Sequence, residues 1–162
     1  IPFLLEAMNR VPEALNPHLL LLGEIQDPHS RKRINLSGDR CHSPGHRNNI
    51  MDLVAASDVF ALPSVAREGL PRAVIESMCV GTPPVVTNVG GLPELVEDGV
   101  SGRFVPPRDA EALAAAITEM LLDADLRSRY GMSARERIKT KFNIRHTIDQ
   151  TARLFEDIVS AT

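Results

Sequence analysis

Two glutamates, Glu68 and Glu76, bracket a Gly69-Leu-Pro-Arg72 step that reads as the start of a helix. The first turn of a helix leaves backbone N–H groups without partners and carries the positive end of the helix dipole, so a start near Gly69 favours an anion, a phosphate above all. Arg72 in that turn opposes the dipole at a cost of roughly 0.3 kcal/mol or more. A bound anion offsets that cost; a solvated arginine is the plainer account. On a single helix the two carboxylates would be separated by ~12 Å of rise, beyond the roughly 5 to 9.5 Å of a glycosidase pair. A hydrolytic pair is therefore not expected. One carboxylate in the loop and one on the helix flank would instead accept hydrogen bonds from ligand hydroxyls on either side of a bound diphosphate. The alternative is a pair of solvated surface glutamates.

The elements around this step must place it at one edge of a sheet. His18-Leu-Leu-Leu-Leu-Gly23, Asp58-Val-Phe-Ala-Leu-Pro63 and Pro84-Val-Val-Thr87 are short continuous apolar runs bounded by turn residues, the form of parallel strands buried on both faces. A fourth strand is expected over 102–106. Another is expected near 40–44, where apolar content is poor; 33–36 rivals it, and the dozen residues that a parallel crossover needs favour the later placement. Helices are expected over 2–10, 28–37 capped by Asp27, from Asn48 or Asn49 to Ala56, 70–80 with Pro71 in its first turn, 93–96, from Asp109 onward, 125–140 and 146–160. Alternating strands and helices predict an α/β fold, a Rossmann-like doubly wound parallel sheet with right-handed crossovers. In such a sheet ligands bind beyond the carboxyl ends of the strands, where Pro63 to Glu76 lies.

The chain has 162 residues, 43% of them hydrophobic and 24% charged, with a formal charge of -3. That is one ordinary globular domain, and no global field recruits nucleic acid or a membrane. Only Cys41 and Cys79 are present, which excludes a disulfide framework and favours a reducing compartment. No membrane span or charged-then-apolar leader is expected from these residues. Cys41, His42 and His46 match no zinc spacing, and no metal is expected; His18, His29 and His146 read as structural or solvated. A lysine-linked pyridoxal cofactor is excluded because Lys32, Lys139 and Lys141 follow no expected strand. From Arg127 to Arg145 seven basic residues face one acidic, Glu136. Leu126, Tyr130, Ala134 and Ile138 form a narrow stripe there, suited to core more than to a lipid surface.

Glu68-Gly-Leu-Pro through Glu76 resembles the E-x7-E element of the retaining glycosyltransferases with two Rossmann-like domains, the GT-B, family 4 or group 1 enzymes related to glycogen synthase and sucrose synthase. Gly45-His-Arg-Asn-Asn-Ile50, Ala55 to Ser64, Gly81-Thr-Pro-Pro-Val-Val-Thr87, Val89-Gly-Gly-Leu-Pro-Glu94 and Gly99 to Pro107 resemble that family in order and spacing. The resemblance implies that residues 1–162 are part of its C-terminal, nucleotide-sugar-binding domain. Glu68 would contact sugar hydroxyls, the Gly69 and Leu70 amides would hold the diphosphate beside Arg72, and Glu76 would take the ribose hydroxyls. Arg47, Asn48 and Ile50 would lie near the base, and Gly90-Gly91 would line the crevice. No cofactor beyond the donor substrate is implied.

The resemblance also implies parts that these residues do not contain: an opening strand, a loop whose Arg and Lys neutralise the leaving diphosphate, and an N-terminal acceptor domain. In the strand order 3-2-1-4-5-6, the absent strand is central, between 18–23 and 58–63. The sheet is expected to have a defect there, to be closed, filled by a strand shared with another chain, or left prone to aggregation. The expected function is donor binding for sugar transfer to an unnamed acceptor, in the cytoplasm, with peripheral contact at the inner membrane face left open. The alternative is a non-catalytic nucleotide-binding or protein-interaction module of the same fold.

Overall fold

The computed structural model describes residues 1–35, 38–66 and 68–160. Five short strands alternate with helices: α1 (Pro2–Met8), β1 (Leu19–Leu22), α2 (Pro28–Asn35), β2 (Cys41–Gly45), α3 (Ile50–Ala55), β3 (Phe60–Leu62), α4 (Arg72–Val80) and β4 (Pro84–Thr87). They are followed by α5 (Leu92–Leu95), β5 (Arg103–Val105), α6 (Ala110–Leu122), α7 (Ala124–Lys141) and α8 (Ile144–Ser160). All strand pairs are parallel. The Rossmann-like α/β architecture is the expected one.

Strand β4 is the centre of the core. Its four residues are all buried, and its side chains alternate between two apolar layers, as a period of two requires. Val85 joins Leu4, Leu5, Leu113, Ile117 and Met120 on the face covered by α1 and α6. Val86 joins Val74, Met78, Leu92, Leu95, Ala134 and Ile138 on the face covered by α4, α5 and α7. Helices on both faces make the sheet doubly wound. On the second face α4 and α7 meet where Gly131 lies against Gly81: a Cβ on Gly131 would come 2.1 Å from the Gly81 carbonyl oxygen, so only glycine permits the approach.

Helix starts follow their capping residues. Asp27 accepts from the Ser30 amide at 2.8 Å and from the His29 amide at 3.2 Å. Asp109 accepts from the Ala112 amide, and Asp123 from the Leu126 amide, each at 2.8 Å. Two expectations are corrected in detail. Asn49 stands at the N-cap of α3 without a side-chain hydrogen bond. Pro71 is the N-cap of α4 in extended conformation, so the helix begins at Arg72 and Leu70 stays in the loop. The rival strand at 33–36 is excluded because Arg33 to Asn35 are helical; Leu36 and the side chain of His146 lie outside the described residues.

The strands form two sheets, β1–β2 and β3–β4–β5. Between β1 and β3 lies an opening of about 730 Å³, lined by Leu19 to Leu22 on one side and Val59 to Leu62 on the other. Among the described residues no backbone hydrogen bond bridges it. The interruption falls where the strand order placed the defect, and the described residues do not close it. On α7, Tyr130, Ala134 and Ile138 are buried and Leu126 packs against the core, so the stripe is core. No described helix is long and apolar enough to cross a membrane.

Candidate functional site

The loop from β3 to α4 and the turn after β4 meet at the carboxyl ends of the strands. Thr87, the buried last residue of β4, donates its hydroxyl to the Ser64 carbonyl at 2.7 Å. Three residues further on, the Gly90-Gly91 turn packs directly on the Glu68 segment. Gly91 donates its amide to the Glu68 carbonyl at 3.0 Å. A Cβ on Gly90 would lie 1.9 Å from that same carbonyl oxygen, and one on Gly91 would lie 2.5 Å from the Gly69 carbonyl oxygen. Gly90 also holds φ at 57°, where glycine is favoured. The two glycines therefore let one backbone rest on another and fix where Glu68 and Gly69 stand.

The Glu68 carboxylate accepts a hydrogen bond from the Ser64 hydroxyl at 2.7 Å. Sequence reasoning did not single out Ser64; its one signal was its place immediately after a strand. Beyond Glu68, the amides of Gly69, Leu70, Arg72 and Ala73 form no backbone hydrogen bond among the described residues, and Pro71 has none to offer. That leaves a run of donors at the positive end of α4, an arrangement suited to phosphate oxygens.

Glu76 lies one turn into α4 and pairs with Arg72, Nη2 to Oε1 3.3 Å. The pair offsets the cation that the first turn would otherwise disfavour, so Arg72 no longer argues for an anion by itself. Its side chain is 90% exposed and that of Glu76 is 35% exposed, which makes the pair easy to open. Glu76, Ala73 and Ile50 share the lining of the opening between the sheets. Arg47 and Asn48 are exposed in the loop before α3. The structure thus brings Glu68, Gly69, Gly90 and Gly91 into direct contact, and places Glu76 and Ile50 on one opening.

Other titratable groups have other duties. His42 does not join Cys41 and His46 in a cluster; its Nε2 lies 3.0 Å from Nδ1 of His18, with the rings stacked. No group of three or more His, Cys, Asp or Glu gathers among the described residues. Desolvation pushes both thiols up, and the negative charge of Glu76 adds to it at Cys79, so neither is poised as a nucleophile. Two arginines of the basic stretch are structural. Arg137 donates to the Leu95 and Glu94 carbonyls and pairs with Glu97 at 3.1 Å. Arg127 donates to the Met120 and Leu121 carbonyls and pairs with Asp58 at 3.4 Å. Both satisfy carbonyls at helix ends.

A family profile described as Glycosyl transferases group 1 matches residues 1–137. The chain belongs to that family. Among curated relatives of this group 1 chain, it is 38% identical over 128 residues to a putative colanic acid biosynthesis glycosyltransferase, WcaL, of Salmonella typhimurium, covering 74% of this chain and 32% of the relative. It is 35% identical over 121 residues to an alpha-maltose-1-phosphate synthase of Mycolicibacterium smegmatis, covering 71% and 30%. The chain therefore spans about a third of the length of these relatives. Among solved structures, Anabaena Alr3699/HepE in complex with UDP superposes with a TM-score of 0.87 at 26% identity, over 96% of this chain and 44% of that one. Sucrose-phosphate synthase from Thermosynechococcus elongatus does so with 0.86 at 31% identity, over 99% and 42%. These likenesses fix the fold as that of GT-B enzymes.

Proposed function

We propose that this group 1 glycosyltransferase chain is a donor-binding domain that holds a nucleoside-diphosphate sugar during transfer with retention. The observation that carries the reading is the Glu68-Gly69 segment, locked against Gly90-Gly91 at the head of α4 and followed by amides that have no backbone partner among the described residues. The solved relative HepE is known with UDP and with UDP-glucose, which supports a nucleotide-sugar donor. In this reading Glu68 receives sugar hydroxyls, the Gly69 and Leu70 amides hold the diphosphate, Glu76 receives the ribose hydroxyls after leaving Arg72, and Arg47 to Ile50 border the base. Arg72 is then free to meet a phosphate.

The chemistry assigned to these residues is binding and orientation. Amides fixed by the fold stabilise charge as it develops on the leaving diphosphate without reorganising, which is where preorganised donors act most strongly. Sugar transfer also needs the acceptor hydroxyl held beside the anomeric carbon, and such proximity supplies about 7 to 11 kcal/mol of barrier lowering. We assign that second wall to a further domain of the protein, so residues 1–162 alone are expected to bind donor and not to transfer sugar.

Titration calorimetry with UDP and UDP-glucose tests the assignment. Glu76→Ala is expected to weaken both ligands, because the ribose belongs to both. Glu68→Ala is expected to weaken UDP-glucose and leave UDP nearly unchanged. Equal effects of Glu68→Ala on the two ligands would reject the sugar role.

A further inference from the structure

We infer that Ser64 is a positioning residue for Glu68, an assignment that rests on the donor-site reading above. Every polar group of Ser64 is engaged. Its amide donates to the Leu62 carbonyl at 3.0 Å, its carbonyl accepts from the Thr87 hydroxyl at 2.7 Å, and its hydroxyl donates to Glu68 Oε1 at 2.7 Å. A hydroxyl has a single proton, and Ser64 spends it on the carboxylate. The distance lies within the range of a hydroxyl on an ionised acceptor, a class of bond stronger than a neutral one.

The anchorage runs from the core outward. Thr87 ends the most buried strand of the sheet and is 1% exposed, so the point from which Ser64 is held does not move with the surface. Ser64 is half-buried and stands two residues beyond the end of β3. Glu68 is thereby fixed twice, by Gly91 at its main-chain carbonyl and by Ser64 at its side chain. A carboxylate offers about four acceptor positions on two oxygens. Among the described residues Ser64 takes one, and the rest are open to ligand hydroxyls. A glutamate held in one rotamer before the ligand arrives loses less freedom on binding, which raises affinity without any new contact.

The test uses the chain with UDP and UDP-glucose as probes, in calorimetry on Ser64→Ala, Ser64→Thr, Glu68→Ala and the double variant Ser64→Ala/Glu68→Ala. Ser64→Ala is expected to weaken UDP-glucose about tenfold, the loss of one hydrogen bond to a charged group, with UDP unchanged. Ser64→Thr keeps the hydroxyl and should restore UDP-glucose affinity. The double variant should match Glu68→Ala alone, since a residue that acts only through Glu68 has nothing left to position. If Glu68→Ala weakens UDP-glucose selectively and Ser64→Ala does not, the positioning role is overturned while the donor site stands. If Ser64→Ala weakens UDP as much as UDP-glucose, Ser64 only supports the loop and the inference is overturned. If the wild-type chain binds neither probe, the donor-site reading fails and carries this inference with it.

Discussion

Strands β4 and β1 are both short apolar runs, yet they occupy different physical situations. β4 has a parallel neighbour on each side and helices on each face, and all four of its residues are buried. β1 has one neighbour, β2, and its other edge borders the opening; of its four leucines only Leu21 is buried. The β3–β4–β5 half is held by buried area, so its stability is spread over many contacts. The β1–β2 half leans more on local polar contacts, among them the Asp27 cap on α2 and the His18–His42 pair. The glutamate–glycine site is built on the first half, at the end of the strand that is hardest to displace.

The largest expected difference is in the core. Met78 is fully buried against β4, and Met78→Ala should cost about 2 to 5 kcal/mol through lost transfer energy and the cavity left behind. Leu20, half exposed on β1 at the opening, should cost about 1 kcal/mol or less when changed to alanine. Urea denaturation of both variants measures this. Equal costs would mean that the opening is as well packed as the core, and the contrast between the halves would be lost.

A smaller effect isolates the contact that builds the site. Gly90 and Gly99 both have positive φ, 57° and 73°. An added Cβ on Gly90 meets the Glu68 carbonyl oxygen at 1.9 Å, whereas on Gly99 the nearest atom is the Tyr130 hydroxyl at 4.0 Å. Gly99→Ala should cost about 1 to 2 kcal/mol for the left-handed backbone alone. Gly90→Ala bears that cost and must also push the Glu68 segment aside, so UDP-glucose binding should fall in this variant and not in Gly99→Ala. Unchanged binding by Gly90→Ala would show that the Glu68 segment does not need this support.

What the sequence revealed follows the same division. The closed half was legible: Pro84–Thr87 read as a buried parallel strand because only such a strand tolerates apolar residues in succession, and Asp109 announced its helix by type and place. Strand β2 was legible only through the length a crossover needs, since an edge strand with three exposed residues has no apolar pattern to read. At the site, the glutamates and glycines were legible as types, but not why the glycines are needed. That reason is the close approach of two backbones distant in sequence, where a Cβ on Gly90 would come within 1.9 Å of the Glu68 carbonyl oxygen. Arg127 and Arg137 read as part of a basic stretch because a sequence does not show the carbonyls that a fold brings to them. Ser64 was missed for the same reason: its partners Thr87 and Glu68 are joined to it by the fold of the strand ends.

The smallest expected effect concerns the start of α2, within the open half. Asp27 is held below its ordinary value of 3.8, first by the hydrogen bond from the Ser30 hydroxyl and then by the Ser30 amide. A carboxyl whose folded value is depressed contributes stability that is present above its unfolded value and is lost as pH falls through the folded one. The start of α2 should therefore loosen on acidification below the ordinary carboxylate range, while the start of α4, whose N-cap is Pro71 with no side-chain cap, has no such titrating cap to lose. Amide chemical shifts of His29, Ser30 and Arg31, followed by NMR from neutral pH downward, should show this acid transition, and it should vanish in Asp27→Ala. The Asp27→Asn variant keeps one acceptor oxygen, so it should hold the first turn partly and without the pH dependence. An acid transition that persists at these amides in Asp27→Ala would assign the loosening to the sheet opening itself, and local capping would no longer distinguish this half of the molecule.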